Sequence, residues 1–324
     1  MKMKVGLSVK EFESVNCVIC NDSNLRLIAK KGEFGWPTYV SICKDCGLVF
    51  LSPRWTNKDY QRFYINEYDQ VLRADTAKVE EKEKRKAKIV WQRLQGHLSD
   101  KRIKVLDIGC GMGWALQLIK QEIPGAELYA IEPSERYKKH VQEDVGAQII
   151  ATDVDSDWFL KYDDQFDLII MRHVIEHLLD PVAALKKISH ALSPKGLLYI
   201  ATPDMMHPDG SLNQFWYRSV HTYYYSKVPM QRIAAKAMLE HLVLRTEKAE
   251  LWGIFRKNPQ VTEVNHSVYQ EQMTVLKQYK IRRLVRWIIR LFAPQKISKR
   301  IPKSWKAIVP KEIKDKFRSL VYRH

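Results

Sequence analysis

The 324-residue sequence has no uncharged run as long as the roughly 18–20 residues that a bilayer-spanning helix needs. Its first residues, MKMKVGLSVKEF, lack the apolar core of a secretory signal peptide. Internal repeats and low-complexity segments are absent as well. These absences exclude a helical membrane protein and a repeat protein, and they predict a cytoplasmic protein whose cysteines stay reduced.

Acidic residues are scarce at the C-terminal end of the chain. The formal net charge is +17, but residues 277–324 alone carry sixteen lysines and arginines against two acids. That segment accounts for +14 of the charge and leaves +3 for the first 276 residues. The body of the protein is therefore nearly balanced, which disfavours nucleic acid as its partner.

Cysteine is also rare, yet four of the five cysteines fall within thirty residues. CVIC and CKDC place Cys17, Cys20, Cys43 and Cys46 in a C-x2-C-x22-C-x2-C pattern. Two tight turns of this kind can bring four thiolates around one tetrahedral Zn²⁺; a redox pair and coincidence are the alternatives. Because a zinc ion with four cysteine ligands has no open position, the pattern predicts a structural zinc site.

Strand-like and helix-like segments alternate from Ile103 onward. KVLDIG, ELYAIEP, FDLIIM and LLYIAT have the texture of buried strands, and helical patterns separate them. Repeated βα units predict an α/β fold with a doubly wound, Rossmann-like parallel sheet, in which ligands bind at the carboxyl ends of the strands. The polar segment from about Lys58 to Gln95, with its charge run KVEEKEKRKAK, is interpreted as a solvated connecting helix.

The loop after the first of these strands, VLDIGCGMGW, has no phosphate-cradling Lys-Ser/Thr pair, and a tryptophan stands where the dinucleotide fingerprint requires Gly or Ala. Gly109, Gly111 and Gly113 let the backbone approach a ligand closely. Asp107 places a carboxylate beside this pocket, which favours a cationic ligand over a pyrophosphate. At the end of the next strand, AIEPS places Glu132 where its carboxylate can accept hydrogen bonds from both hydroxyls of a diol.

These residues resemble motif I and the following acidic residue of the class I S-adenosylmethionine-dependent methyltransferases, and the resemblance extends over roughly residues 100–257. It implies that the glycine loop, Asp107 and Glu132 bind S-adenosylmethionine, whose sulfonium and ammonium groups are cationic. It also implies an acid near the adenine, for which Asp153 is the candidate and Asp155 the alternative.

The stretch FDLIIMRHVIEHLLDP resembles motif IV of the same family, which implies that Arg172 and His173 reach the rim of the cofactor site. If Val174 to Leu179 form a helical turn, His173, Glu176 and His177 can share one face. A transition-metal site is one alternative; the ubiquinone-pathway O-methyltransferases resemble this stretch but have Glu-x-x-Glu-His. The pattern recurs in methyltransferases with different substrates, which favours a scaffold role for Glu176 and His177 and leaves His173 facing cofactor or substrate.

A long segment, PDMMHPDGSLNQFWYRSVHTYYYS, follows the strand LLYIAT and is expected to lie over the cofactor end of the sheet. With the four-Cys module ahead of the methyltransferase domain, it resembles a zinc-containing family that includes nucleotide-sugar C-methyltransferases. Those enzymes have Tyr-x-Glu-His here, with the histidine as base. This chain keeps His221 but has Arg218 and Val220 at the other two positions.

His221 is therefore the main candidate for the base or substrate anchor, with His173 and His177 as further catalytic candidates and Tyr223 to Tyr225 as expected pocket walls. A base of this kind is needed to methylate a hydroxyl of high pKa. The resemblance predicts a sugar or glycan hydroxyl as acceptor. C-methylation of a nucleotide-linked ketosugar is the alternative.

Four segments are predicted: a zinc-binding module at 1–57, a helical connector at 58–98, a methyltransferase domain at 99–258 and a basic helical tail at 259–324. In the tail, YKIRRLVRWIIRLFAP has an apolar and an arginine-rich helical face. Such a helix suits anionic lipid head groups at the inner face of the membrane; packing on the domain is the alternative. A nucleic-acid substrate is disfavoured because an Asn-Pro-Pro-Tyr type of motif is absent.

Overall fold

The structure, a computed structural model, describes residues 10–66, 77–98 and 102–292. Five short strands come first: β1 (Phe12–Glu13), β2 (Leu25–Lys31), β3 (Pro37–Cys43), β4 (Val49–Leu51) and β5 (Arg54–Trp55). The strands β2, β3 and β4 pair antiparallel in chain order. Two helices follow, α1 (Asn57–Asn66) and α2 (Ala77–Leu94).

Alternating strands and helices make up the rest of the chain. The strands are β6 (Lys104–Ile108), β7 (Glu127–Ile131), β8 (Gln148–Ala151), β9 (Phe166–Arg172), β10 (Leu192–Pro203), β11 (Tyr223–Tyr224), β12 (Leu239–Glu247) and β13 (Glu250–Lys257). The helices are α3 (Trp114–Glu122), α4 (Glu135–Glu143), α5 (Pro181–Ala191), α6 (Lys227–Ala235) and α7 (Tyr269–Phe292).

Seven of these strands form the main sheet in the order β12-β13-β10-β9-β6-β7-β8. The strands β6 to β10 run parallel, whereas β13 is antiparallel to both β10 and β12. The strand order reverses between β6 and β9, and the carboxyl ends of a parallel sheet open into a ligand crevice at such a switch point. The predicted doubly wound, Rossmann-like α/β fold is confirmed.

The central strands of this sheet, β6, β9 and β10, are buried on both faces, which explains their uninterrupted apolar runs. In β9, Leu168 and Ile170 belong to one buried cluster, whereas Ile169 and Met171 belong to the cluster on the opposite face. Successive side chains of a strand point to opposite faces, so a four-residue apolar run supplies both cores. The rigid centre of the sheet thereby fixes the ends of β6 and β9.

The strands β2, β3 and β4 form the N-terminal sheet, which is joined to the rest of the protein by pairing with a later strand. The strand β11 pairs antiparallel with β4, so β11 forms an edge of the N-terminal sheet. Cys43 and Phe50 lie in the same buried cluster as Ile169 and Met171. The described residues up to Val275 form one compact unit. The division at residues 57, 98 and 258 stays a prediction, and the structure adds that the cysteine segment and the main sheet share a core.

The residues from Leu276 belong to a second unit, of which the structure describes the end of α7. The side chains from Arg283 onward and all of residues 293–324 lie outside the described residues. The predicted basic face and its membrane contact therefore stay predictions. Among the described helices, none is long and apolar enough to cross a membrane.

Candidate functional site

A cavity of about 1160 Å³ lies at the switch point of the main sheet. Its walls come from the ends of β6 and β9, the loop before α3, one face of α2 and the segment before β11. Seven of the predicted site residues line it: Asp107, Gly109, Gly111, Arg172, His173, His177 and His221. The fold thus brings together residues that are more than 100 positions apart in the sequence.

Three predicted cofactor residues do not line the cavity. Gly113 packs against Val145, and Glu132 lies directly behind the loop, where it accepts a hydrogen bond from the Gly111 amide. Asp153 is exposed after β8 and accepts a hydrogen bond from the backbone of Asp155. The proposed adenine contact of Asp153 stays a prediction without support from this arrangement.

The glycine loop requires left-handed backbone at three positions. Gly109, Gly111 and Gly113 have φ angles of +71°, +57° and +69°. A Cβ on Gly109 would lie 2.5 Å from Cγ2 of Val174, whereas a Cβ on Gly111 would meet no atom within 4 Å. Gly109 is therefore needed for packing, and Gly111 leaves bare backbone facing the cavity.

We expect Gly109→Ala to lower the free energy of unfolding by more than the about 1–3 kcal/mol of a strained left-handed residue, because the methyl group also collides with Val174. Gly146→Ala is the matched control, since Gly146 has a φ of +73° with open space around it. Denaturant unfolding of both variants measures the difference. Equal losses would show that the contact with Val174 carries no cost.

Two buried carboxyls lie under the loop. Glu132, 3% exposed, accepts hydrogen bonds from the amides of Gly111 at 2.8 Å and Ser134 at 2.9 Å. Asp107, 5% exposed at the end of β6, lines the cavity. Burial, followed by the charge of Glu132, raises the pKa of Asp107 to about 8. A buried carboxyl of this kind is stabilised in its ionised form by a cationic ligand.

At the end of β9, a histidine is held between two carboxylates. Nδ1 of His173 lies 3.1 Å from Oε1 of Glu176, and Nε2 lies 3.1 Å from Oε1 of Glu250. Burial opposes charge on the ring, but these hydrogen bonds outweigh it and raise the pKa of His173. Both ring nitrogens donate, so His173 has no lone pair for a base or a metal ligand. This geometry argues against His173 as the base, although it lines the cavity.

Two further histidines face each other across the cavity wall. The rings of His177 and His221 are 4.8 Å apart at an angle of 89°. Nδ1 of His177 donates to the carbonyl of Val220 at 2.9 Å and also lies 3.0 Å from the hydroxyl of Tyr64. His221 is 8% exposed, and burial lowers its pKa well below the usual value. His221 is therefore neutral at pH 7 and can accept a proton.

Glu176, His177 and His221 offer ligand atoms within 4.8 Å of one another. Both oxygens of Glu176 are already engaged, one with His173 and the other with the hydroxyl of Thr202 at 3.0 Å. The hydrogen bonds to His173 outweigh burial and lower the pKa of Glu176 to about 2. The carboxylate of Glu176 is therefore already used as an acceptor, which disfavours the alternative of a transition-metal site.

The four cysteines converge beside the N-terminal sheet, with Cys43 at the end of β3 and the other three in turns. Their sulfur atoms all lie within 4.8 Å of one another, with 3.5 Å between the sulfurs of Cys17 and Cys46. Four sulfurs at about 2.3 Å from a tetrahedral zinc are about 3.8 Å apart, so the cluster fits that ion. The four sulfurs therefore fit the predicted zinc ligand set.

Sequence reasoning missed the part of the wall built by α2. Glu83, Lys86, Ala87 and Val90 all line the cavity, and the last two are buried. The helix is therefore more than a solvated connector. A signal was present: Ala87, Val90 and Leu94 are spaced three and four residues apart on one helical face.

Tyr223 to Tyr225 do not line the cavity, so the expectation that they form its walls is wrong. Their hydroxyls donate to the backbone carbonyls of Leu179, Arg218 and Ile175, and the cavity wall here consists of Phe215, Trp216 and Arg218 instead. The cause is the pairing of β11 with β4, which draws Tyr223 and Tyr224 into the N-terminal sheet.

A family model described as a methyltransferase domain matches residues 70–242, more than half of the chain. A ubiquinone biosynthesis O-methyltransferase of Parvibaculum lavamentivorans is 32% identical over 103 residues, which are 31% of this chain and 40% of that protein. A tRNA U34 carboxymethyltransferase of Desulfotalea psychrophila is 31% identical over 117 residues, which are 35% of this chain and 36% of that protein.

Among solved structures, a Pyrococcus horikoshii protein aligns with a TM-score of 0.47 at 20% identity, over 60% of this chain and 99% of that chain. The curated relatives are longer than the matched part. The chain spans about 40% of the length of the Parvibaculum lavamentivorans protein.

Proposed function

We propose the following function on the premise that this chain belongs to the S-adenosylmethionine-dependent methyltransferases. The protein transfers a methyl group to a hydroxyl of an acceptor that is held beside His221. The single observation that carries the proposal is the buried Asp107 carboxyl, which lies in the wall of a cavity at the switch point of the sheet.

The residues of the cavity fit S-adenosylmethionine. The pKa of Asp107 is raised by burial, and the sulfonium and ammonium groups of the cofactor are cations that stabilise the ionised carboxylate. Gly111 leaves open space where a ligand can approach the backbone. Glu132 accepts hydrogen bonds from two backbone amides, which fix its carboxylate directly behind the glycine loop. When bound, the cofactor supplies an electrophilic methyl group.

His221 supports the other half of the reaction. Its neutral ring lines the cavity, and within the described residues it makes no hydrogen bond through its ring nitrogens. An acceptor hydroxyl placed there would give its proton to the imidazole, which would make its oxygen a stronger nucleophile. His177 supports this position, since its ring packs edge-on against His221 and is anchored by Val220.

We infer that the acceptor is a hydroxyl of a sugar or glycan intermediate. Phe215, 58% exposed, and Trp216 give the cavity an aromatic wall on which a ring-shaped acceptor can stack. Arg218, which forms an ion pair with Glu33 at 2.7 Å, supplies hydrogen-bond donors beside it. C-methylation of a ketosugar is weaker, because Arg218 and Val220 replace the tyrosine and glutamate of the enzymes that carry it out.

A nucleic-acid acceptor is the second candidate, because one relative is named a tRNA U34 carboxymethyltransferase. Another relative is named for ubiquinone biosynthesis, so the similarity over the matched region does not identify the acceptor. The near-neutral charge of the first 276 residues favours the glycan proposal over the nucleic acid.

The test of cofactor binding uses pH. Because a bound cation favours ionised Asp107, the affinity for S-adenosylmethionine should rise as the pH increases through about 8, by up to about tenfold per pH unit below that value. Asp107→Asn should bind S-adenosylmethionine more weakly, and the pH dependence of its affinity should reflect only the titration of the ligand itself. Isothermal calorimetry between pH 6.5 and 9 (about one to two units around the pKa) measures both. Asp163→Asn, an exposed change, is the control.

A wild-type affinity equal to that of Asp107→Asn at every pH would contradict the role of Asp107. No measurable binding of S-adenosylmethionine by the wild-type chain would contradict the proposed function itself.

A further inference from the structure

We propose that Glu250 is a positioning residue of this site: it holds Arg172 and His173 in the cavity wall by accepting hydrogen bonds from both. Glu250 is the first residue of β13 and is not itself part of the cavity wall. The inference rests on the proposed function only for the ligand that the wall faces.

The contacts of Glu250 converge on one carboxylate. Oε1 accepts from a guanidinium nitrogen of Arg172 and from Nε2 of His173, each at 3.1 Å. Oε2 accepts from Arg93 at 2.8 Å. Three donors, all positively charged or able to be, surround a side chain that is 21% exposed. Charge-assisted hydrogen bonds of this kind are stronger than neutral ones and fix the orientation of their partners.

The carboxylate is itself held in place from the opposite side. Arg93 also donates to the hydroxyl of Tyr199 at 2.7 Å, and its guanidinium lies 4.5 Å above the ring of Trp252. The side chain of Arg93 is 8% exposed. The helix α2 is thus linked through Arg93 and Glu250 to the end of β9, and Glu250 has little freedom to move.

His173 needs such a support because of its backbone. Its φ of +53° is in the left-handed region, where a non-glycine residue is strained. Glu176 and Glu250 grip its ring from the two sides, and each takes one N–H. Without Glu250, an N–H of the His173 ring and a guanidinium nitrogen of Arg172 lose their acceptor. The part of the cavity wall that these two residues form is then free to rearrange.

The experiment compares Glu250→Gln with Glu247→Gln. Glu247 carries the same charge and bonds the same Arg93 at 2.7 Å, but its side chain is 52% exposed and it does not contact Arg172 or His173. Any long-range charge effect is therefore shared by the two variants. Thermal unfolding of both first establishes that each variant is folded.

The first measurement is the ¹⁵N spectrum of the histidine rings at neutral pH, with His173 assigned from the signals missing in His173→Gln. The groups that face this ring are Glu176, Glu250 and Arg172. Wild type and Glu247→Gln should show two proton-bearing nitrogens on His173. Glu250→Gln should lose that pattern, which a purely structural role for Glu250 would leave unchanged.

The second measurement is the affinity for S-adenosylmethionine by calorimetry. Glu250→Gln should bind about tenfold more weakly than Glu247→Gln, because Arg172 and His173 lose the carboxylate that positions them; a hydrogen bond to a charged group is worth about this factor. Equal affinities together with an unchanged His173 spectrum would overturn the proposal. If the wild-type chain fails to bind the cofactor, the proposed function fails, and the His173 spectrum alone still decides the role of Glu250.

Discussion

His221→Ala is expected to lower the turnover of methyl transfer by about 10²–10⁴-fold, the usual contribution of a general base. The ring is buried in the cavity wall and faces the edge of the His177 ring. The affinity of the His221→Ala variant for S-adenosylmethionine should remain close to that of the wild type, because Asp107 and the glycine loop are unchanged. Turnover with an acceptor glycan and calorimetry with the cofactor measure the two effects separately.

The matched control is His190→Ala, which removes a half-exposed imidazole at the end of α5, outside the cavity wall. His177→Ala should reduce turnover less than His221→Ala, because His177 supports the base without taking the proton. Loss of turnover at His177 with full turnover at His221 would reverse these roles.

The pH profile provides a second reading of the same residue. Burial, followed by the charge of His177, lowers the pKa of His221 well below its usual value. The imidazole is therefore neutral at pH 7 and gains its proton only on acidification. We expect kcat/KM to fall as the pH drops through that lowered pKa, with the acid limb below the about 6.5 of a free histidine.

The sequence predicted best those features that depend on near neighbours. The turn between β6 and α3 needs its glycines for local backbone geometry, which a short stretch of sequence already shows. The four cysteines were equally predictable, because each C-x2-C turn by itself supplies two of the four zinc ligands.

Features set by long-range pairing were out of reach. Glu250 meets Arg172 and His173 only because β13 lies antiparallel to β10, with Glu250 opposite Pro203. The sequence around Glu250 carries no information about that register. The tyrosines after His221 were misplaced for the same reason, since their environment depends on a strand near residue 50.

Cys43→Ser is expected to remove the zinc ion and to lower the free energy of unfolding by at least about 4 kcal/mol, the range of mutations that eliminate a metal site. The melting temperature should fall by about 10 °C. Cys43 is fully buried and belongs to the same apolar cluster as Ile169 and Met171 of β9. Loosening of the cysteine sheet therefore reaches the strand that carries Arg172 and His173.

Native mass spectrometry measures the metal, and wild type should carry one zinc per chain. Cys110→Ser is the matched control, because Cys110 lies in the glycine loop, outside the four-sulfur cluster, and should keep the zinc. A Cys43→Ser chain with one bound zinc and an unchanged melting temperature would contradict the site. Since β11 pairs with β4, the variant should also lose turnover: the segment that holds His221 depends on the sheet that the metal stabilises.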